Sequence, residues 1–185
     1  MKLKLLNLAY SCLDANECYV EIGTFVGKSI ISAMINNKLR KTFACDNFSQ
    51  FQDMSSEAIL MSNLEKYNLR DKIIFFDTDF RKILTNEIIN IPIGLYFYDG
   101  THDFESQYWA IKLVENLLAQ EALVIVDDWR YAPDSNSYAK EATIKAIEES
   151  IFQYDLLYEL PARYNGDHGM WWNGIGVFAF YRKHR

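Results

Sequence analysis

Apolar and polar positions follow two different spacings along the chain. Seven short apolar segments, rich in β-branched and aromatic residues, predict strands at 18–22, 42–45, 73–76, 93–98, 122–126, 155–160 and 175–181. Apolar residues that share one helical face predict four helices, on the stripes Ile30/Met34/Leu39, Leu60/Met61/Leu64/Tyr67, Ile111/Val114/Leu118 and Ile144/Ile147/Ile151.

The order of these segments predicts the fold class. Continuous apolar strands separated by amphipathic helices are typical of a parallel sheet that helices cover on both faces. The segment between Leu160 and Ile175 contains Pro161 and three glycines but no helical stripe, so the last two strands must pair antiparallel. We therefore predict an α/β fold with a seven-stranded, mostly parallel sheet, helices on both faces and an antiparallel final hairpin. The 185 residues are expected to form a single domain, 1–185, since an average domain has about 150 residues.

Composition narrows the range of partners and compartments. The chain has 19 basic and 25 acidic residues, a net charge of −6, which argues against a nucleic-acid partner. Its longest clean apolar runs fall far short of the roughly 20 residues that cross a bilayer, and its first residues lack a signal-peptide pattern, so no membrane association is expected. The three cysteines, Cys12, Cys18 and Cys45, lack CxxC spacing, which favours a reducing cytoplasm.

Acidic residues mark the carboxyl ends of the first five predicted strands: Glu21, Asp46, Asp77 with Asp79, Asp99, and Asp127 with Asp128. A single aspartate at a strand end can simply cap the following turn. Parallel sheets, however, bind their ligands at this edge, and five successive acids there predict a binding site. Carboxylates suit a cationic ligand, a hydroxyl-rich ligand or a metal ion, and suit phosphates badly.

The segment 21–29, Glu-Ile-Gly-Thr-Phe-Val-Gly-Lys-Ser, leads from the first strand into the first predicted helix. It is close to the phosphate-binding loop of nucleotide hydrolases, and 124–127, Val-Ile-Val-Asp, is similar to their Mg²⁺-holding strand. That loop, however, has one residue more between its glycines than the three that separate Gly23 from Gly27. The spacing disfavours a nucleotide hydrolase but leaves it as an alternative.

The same segment has the pattern Glu-x-Gly-x-x-x-Gly, and Asp46 closes the second strand 25 residues after Glu21. This combination resembles the S-adenosylmethionine (SAM) site of class I methyltransferases, whose Rossmann-like sheet also ends in an antiparallel pair. The resemblance implies cofactor contacts from Glu21, Gly23, Gly27, Ser29 and Asp46. The glycines would let the backbone approach the ligand, and the Asp46 carboxylate could accept hydrogen bonds from both ribose hydroxyls.

Two later segments sharpen the resemblance: Tyr-Phe-Tyr-Asp-Gly-Thr-His-Asp-Phe-Glu at 96–105 and Val-Ile-Val-Asp-Asp-Trp at 124–129. They are similar to segments of a metal-dependent group of O-methyltransferases, which includes catechol O-methyltransferase-like and macrocin-type sugar O-methyltransferases. The similarity extends from about residue 18 to the end of the chain. It implies that Asp99, Asp127 and Asp128 bind Mg²⁺ or another divalent cation. It also implies SAM contacts from Asp99 and from Asp79, the latter at the adenine amino group.

The chemistry of methyl transfer also requires a base. A hydroxyl is a weak nucleophile at neutral pH unless a cation lowers its pKa and a nearby base takes its proton. His102 lies three residues after Asp99, where catechol-type relatives place a lysine base. His102 and Asp99 are therefore the predicted catalytic residues, and the alternative is that His102 only caps the helix entered at Phe104. His168 is a weaker candidate for the base.

Aromatic residues follow the later strands, at Trp129, Tyr131, Tyr164, Trp171 and Trp172. They predict either stacking on a sugar or phenol ring or a cover over the open end of the sheet. Only about 17 residues precede the first strand, where many relatives carry helices that roof the site. The acceptor site is therefore expected either to be open or to be roofed by the second subunit of a homodimer.

These observations together predict a SAM-dependent O-methyltransferase that acts, with a divalent metal ion, on a hydroxyl of a small molecule or glycan. Two alternatives stay open. One is a P-loop-like nucleotide hydrolase, and the other is a member of the fold that binds SAM without transferring its methyl group.

Overall fold

A computed structural model describes residues 1–51, 55–129, 138–164 and 166–184. Its strands are β1 (Cys18–Ile22), β2 (Lys41–Asp46), β3 (Ile74–Asp77), β4 (Ile93–Tyr98), β5 (Leu118–Asp127), β6 (Phe152–Leu160) and β7 (Ile175–His184). Its α-helices are α1 (Lys2–Ser11), α2 (Lys28–Met34), α3 (Ser56–Lys66), α4 (Phe104–Val114) and α5 (Ala139–Glu148).

The seven strands form one sheet in the order β3-β2-β1-β4-β5-β7-β6. The first five strands are parallel, whereas β7 pairs antiparallel with both β5 and β6. The predicted fold, a mostly parallel seven-stranded sheet with an antiparallel final hairpin, is therefore confirmed. No helix within the described ranges combines the length and the apolar character of a membrane span.

Two hydrophobic cores lie on opposite faces of the sheet, because successive strand residues point to opposite sides. In β4, Tyr96 and Tyr98 join the core beneath α4 and α5, while Leu95 and Phe97 join the core beneath α1, α2 and α3. All four side chains are buried. Burial on both faces explains why the parallel strands are apolar throughout and were recognisable in the sequence.

Three details differ from the prediction. Helix α1, which we did not predict, precedes β1. Leu118 does not continue the stripe of α4, because it is the first residue of β5 and pairs with Ile93. Leu39 and Ile151 lie beyond the ends of α2 and α5 and are exposed.

The order of the strands indicates where a ligand-binding site is expected. The chain crosses from β3 at one edge of the sheet to β4 on the other side of β1, so the sheet reverses its strand order between β1 and β4. In open α/β sheets, ligands bind outside the carboxyl ends of the strands at such a switch point. At this point Gly23 follows β1 and Asp99 follows β4, and the Asp99 amide donates to the Ile22 carbonyl at 2.8 Å.

Candidate functional site

Two neighbouring cavities open at the carboxyl ends of the parallel strands. The larger has a volume of about 550 Å³, within the usual range for a small-molecule site. Most of the predicted site residues line it, namely Gly23, Ser29, Asp46, Asp99, His102, Asp127 and Asp128. The smaller cavity, about 190 Å³, shares Gly23, Asp46 and Asp99 with the larger one and adds Asp79.

The two glycines of the loop after β1 both have a φ of 86°, in the left-handed region. A Cβ on Gly23 would lie 1.9 Å from the Asp99 carbonyl oxygen, so only glycine allows the ends of β1 and β4 to approach. A Cβ on Gly27 would lie 2.7 Å from the Leu60 side chain, and Gly27 is the N-cap of α2. Gly23 therefore shapes the cavity, while Gly27, predicted to contact the cofactor, lines neither cavity and serves the left-handed N-cap of α2, close to Leu60.

Glu21 is fully buried at the end of β1 and lines neither cavity. Its carboxylate accepts hydrogen bonds from the Tyr19 hydroxyl at 2.5 Å and from the Ser29 hydroxyl at 2.8 Å. Burial raises the pKa of Glu21 to about 7, and the two hydroxyl donors only partly offset this. The structure thus places Glu21 behind Ser29, where it fixes the start of α2 instead of facing the cavity.

Asp46 connects the loops that follow β1 and β2. One carboxylate oxygen accepts from the Phe25 amide and the other from the Phe48 amide, each at 2.7 Å. Both amides belong to residues with positive φ, so the carboxylate stabilises two strained turns. Each carboxylate oxygen has more than one acceptor position, so Asp46 can also accept bonds from a diol in the cavities.

Asp79 lies at the far end of the smaller cavity, after β3. Its carboxylate accepts from the Arg81 amide at 2.8 Å and forms an ion pair with the Arg81 guanidinium at 3.1 Å. Arg81 in turn donates to the Ser106 hydroxyl on α4 at 3.0 Å. The position predicted to contact adenine therefore lies in a polar network that lines the smaller cavity.

Lys2 extends from the first turn of α1 between the ends of β4 and β5. Its ammonium group forms an ion pair with Asp99 at 3.2 Å and a second, short one with Asp127. Burial by itself would lower the pKa of Lys2, but the charges of the two aspartates outweigh it and raise the pKa above its usual value. Burial raises the pKa of both aspartates, and Lys2 only partly offsets this.

His102 and Asp128 form a second polar pair at the same edge. The Nε2 atom of His102 lies 3.0 Å from Asp128 Oδ2, and Asp128 Oδ1 accepts from the Asn173 amide at 2.8 Å. The Nδ1 atom of His102 is buried and has no hydrogen-bond partner among the described residues. The alternative role for His102 is wrong, because Asp103 caps α4 by accepting from the Ser106 amide at 2.8 Å.

The loop between β6 and β7 forms the outer wall of the larger cavity. His168, Trp171 and Trp172 line it, with the rings of His168 and Trp172 in edge contact at 4.5 Å. The Asn173 side chain accepts from the Gly166 amide at 2.7 Å, in addition to its bond to Asp128.

The other predicted aromatic positions do not form this wall. Trp129 is buried against Phe178 at 5.5 Å and donates to Glu159 at 2.7 Å, so it belongs to the core. Tyr164 is exposed and lines neither cavity. Tyr131 lies outside the described residues.

The predicted Mg²⁺ site at Asp99, Asp127 and Asp128 does not fit this arrangement. The Lys2 ammonium group stands between Asp99 and Asp127, where it would repel a divalent cation. Asp128 is directed to His102 and Asn173. In the part of the chain that the structure describes, no three His, Cys, Asp or Glu side chains are grouped so that they could hold a metal ion.

Lys2, Arg81 and Asn173 are functional candidates that the sequence analysis missed. A signal for Lys2 existed, because Leu6, Ala9, Tyr10 and Leu13 have helical spacing and are all buried. That stripe predicts α1, although it does not predict which acids Lys2 meets. Arg81 lies in a 3₁₀-helix of three residues and Asn173 in a loop, and neither segment is long enough or regular enough for a periodicity to indicate the direction of a side chain.

Comparison with known proteins identifies the family and the fold. The family model described as a methyltransferase domain matches residues 20–129, which contain most of β1 and all of β2 to β5. No curated protein sequence matches the chain significantly.

Solved structures share the fold at low sequence identity. Cofactor-bound Rv0187 from MTB has a TM-score of 0.70 and 18% identity, over 99% of this chain and 80% of that one. TomG, an O-methyltransferase from Streptomyces achromogenes in complex with SAM, has a TM-score of 0.69 and 17% identity, over 98% and 80%. An O-methyltransferase from Bacillus cereus in complex with SAH has a TM-score of 0.66 and 16% identity, over 98% and 79%.

Proposed function

Since the chain belongs to the family of methyltransferase domains and is a SAM-dependent methyltransferase, we propose that it transfers the methyl group to a hydroxyl oxygen of a small molecule or sugar. The observation that carries the choice of oxygen is the His102–Asp128 pair, whose imidazole has one ring nitrogen without a partner among the described residues. A hydroxyl nucleophile needs a base of this kind, because its proton must leave as the new bond forms.

The two cavities suggest how the cofactor lies. The adenine would occupy the smaller cavity near Asp79, and the ribose would lie where both cavities meet at Asp46. The methionine part would then extend past Gly23 towards Ser29, and the methyl group would face the larger cavity. In this orientation Gly23 lets the backbone come close to the cofactor, and the Asp46 carboxylate accepts hydrogen bonds from the two ribose hydroxyls.

The reaction is a single displacement. A lone pair of the acceptor oxygen attacks the methyl carbon, the carbon–sulfur bond breaks, and its electron pair remains on sulfur as S-adenosylhomocysteine forms. In the neutral form that acts as the base, His102 donates from Nε2 to Asp128, which leaves the lone pair on Nδ1. The acceptor proton passes to Nδ1, which must first turn out of its buried position to face the larger cavity.

The nucleotide-hydrolase alternative is not favoured, because the family match and the fold both indicate a methyltransferase. The cavity also presents carboxylates where a nucleotide would place its phosphates.

Product analysis tests the proposal. The protein is incubated with SAM and panels of phenols, catechols and sugars, and mass spectrometry detects S-adenosylhomocysteine and an acceptor heavier by one methylene. His102→Ala serves as the control and should still bind the cofactor while forming product about 10²–10⁴ times more slowly. Methylation of nitrogen or carbon would contradict the choice of oxygen. Cofactor binding without any product would favour the non-catalytic alternative.

A further inference from the structure

We propose that the ammonium group of Lys2 is the built-in cation of the acceptor site, so that methyl transfer by this protein needs no divalent metal ion. The proposal rests on the proposed function for the identity of the acceptor. Its structural part, the exclusion of a metal ion from the two strand ends, can be tested without any acceptor.

Lys2 is held in place by a packed helix. Leu6 and Tyr10 of α1 are buried in the core over the sheet. The Asn7 side chain donates to the carbonyls of Ser32 at 2.8 Å and Ile35 at 2.9 Å, which fixes α1 against the end of α2. The ammonium group therefore reaches the strand ends from a rigid support.

The position of Lys2 would be unfavourable without the two aspartates. A cation in the first turn of a helix is repelled by the helix dipole, whose positive end lies there. The ion pairs with Asp99 and Asp127 offset this repulsion. A divalent ion would need the same two carboxylates, so it could bind only if Lys2 moved away.

The Lys2 ammonium group can also assist methyl transfer. An ammonium group has three N–H donors, and the two aspartates account for two of them. Lys2 and His102 line the same cavity, so the third donor can bind an acceptor oxygen while His102 takes its proton. The ion pairs with Asp99 and Asp127 favour the charged form of Lys2, so it acts as a cation and not as a base.

Measurements of metal binding test whether Lys2 or a bound metal ion supplies the positive charge between Asp99 and Asp127. Isothermal titration with Mn²⁺ is carried out on the wild type, Lys2→Met, Lys2→Arg and Lys4→Met. Lys4 is exposed on the same helix and is the matched control. The wild type, Lys2→Arg and Lys4→Met should bind Mn²⁺ only weakly, whereas Lys2→Met should bind it about tenfold or more tightly than the wild type, because the carboxylates lose their cation.

Stoichiometric Mn²⁺ binding by the wild type that is lost in Asp127→Asn and unchanged in Lys2→Met would overturn the proposal. Equal S-adenosylhomocysteine affinity in all variants shows that the cofactor site is intact. Once an acceptor is known, turnover of the wild type should resist a chelator, and Lys2→Met should lower kcat more than it changes the KM for SAM. Loss of turnover in the chelator, restored by Mg²⁺, would also overturn it.

Discussion

The Nε2 atom of His102 and the Oδ2 atom of Asp128 lie 3.0 Å apart, although 26 positions separate the two residues in the sequence. Asp128 has a φ of 53°, a strained value for a residue other than glycine. Asp128 directly follows β5, and this backbone conformation turns its carboxylate towards the loop that follows β4, which contains His102. Because Asp128 also accepts from Asn173, its two oxygens hold the imidazole and the β6–β7 loop in one arrangement.

Replacing Asp128 by asparagine should disable His102 without removing it. Asparagine has one acceptor oxygen, so it cannot present a separate oxygen to both Asn173 and His102, as Asp128 does. If its amide NH₂ faces Nε2, the imidazole proton moves to Nδ1 and the basic lone pair is lost. We expect kcat to fall about 10²-fold or more, with S-adenosylhomocysteine affinity unchanged.

Kinetics of the double variant give the control for this prediction. Asp128 acts through His102, so His102→Ala combined with Asp128→Asn should be no slower than His102→Ala alone. Multiplied losses in the double variant would show that Asp128 acts independently of the imidazole.

Asp46→Ala should weaken the binding of S-adenosylhomocysteine. Removing a charge-assisted acceptor for the ribose costs about 1.5–3 kcal/mol, roughly a tenfold to hundredfold loss of affinity. Asp46→Asn keeps one acceptor oxygen, so its affinity for S-adenosylhomocysteine should lie between those of the wild type and Asp46→Ala. Isothermal titration gives the affinities, and circular dichroism verifies that the loops held by Asp46 still fold.

Asp77 provides the matched control for Asp46. It pairs with Asp46 at the end of β3 but is exposed and lines neither cavity. Asp77→Ala should therefore bind the cofactor like the wild type. Equal affinity of Asp46→Ala and Asp77→Ala would mean that the ribose does not lie at Asp46.

Gly23→Ala should destabilise the fold through a close approach of backbone atoms. The added Cβ would meet the Asp99 carbonyl at 1.9 Å and would also be strained at a φ of 86°. Strain and overpacking together predict a loss of about 2–5 kcal/mol in the free energy of unfolding, measured in urea. Gly166→Ala has a similar φ of 75° but no atom closer than 3.8 Å, so it should cost only about 1–2 kcal/mol. Equal losses would indicate that the ends of β1 and β4 can separate.

Glu21 should make stability decrease as pH rises. Burial raises its pKa from 4.5 to about 7, so the folded protein binds the proton more tightly than the unfolded chain. Its contribution to the free energy of unfolding is therefore largest below pH 4.5, falls between pH 4.5 and 7, and is constant above pH 7.

The neutral variant Glu21→Gln removes this pH dependence. Its free energy of unfolding, relative to the wild type, should rise between pH 5 and 8 by up to about 3 kcal/mol. Glu57→Gln, on the exposed face of α3, is the control and should leave the pH profile of the wild type unchanged. A relative stability of Glu21→Gln that does not depend on pH would contradict the raised pKa of Glu21.

The sequence predicted the sheet well because parallel strands buried on both faces have an unmistakable apolar pattern. It also predicted the edge where Asp46, Asp99 and Asp127 lie, since a strand end fixes the position of a side chain along the sheet. It could not predict what neutralises the acids. Lys2 precedes Asp99 by 97 positions and Asp127 by 125, and only the packing of α1 brings them together. A carboxylate pair has the same sequence pattern whether its partner is an ammonium group or a metal ion.

The bonds of Asn173 hold the catalytic pair independently of the residues inside the β6–β7 loop. The loop segment 167–172 is closed at its base by Asn173, which binds both the Gly166 amide and Asp128. Residues inside the loop, such as His168 and Trp171, can therefore vary while the alignment of the catalytic base is kept. New acceptors could be selected by exchanging this short segment alone, with the rest of the scaffold inherited unchanged.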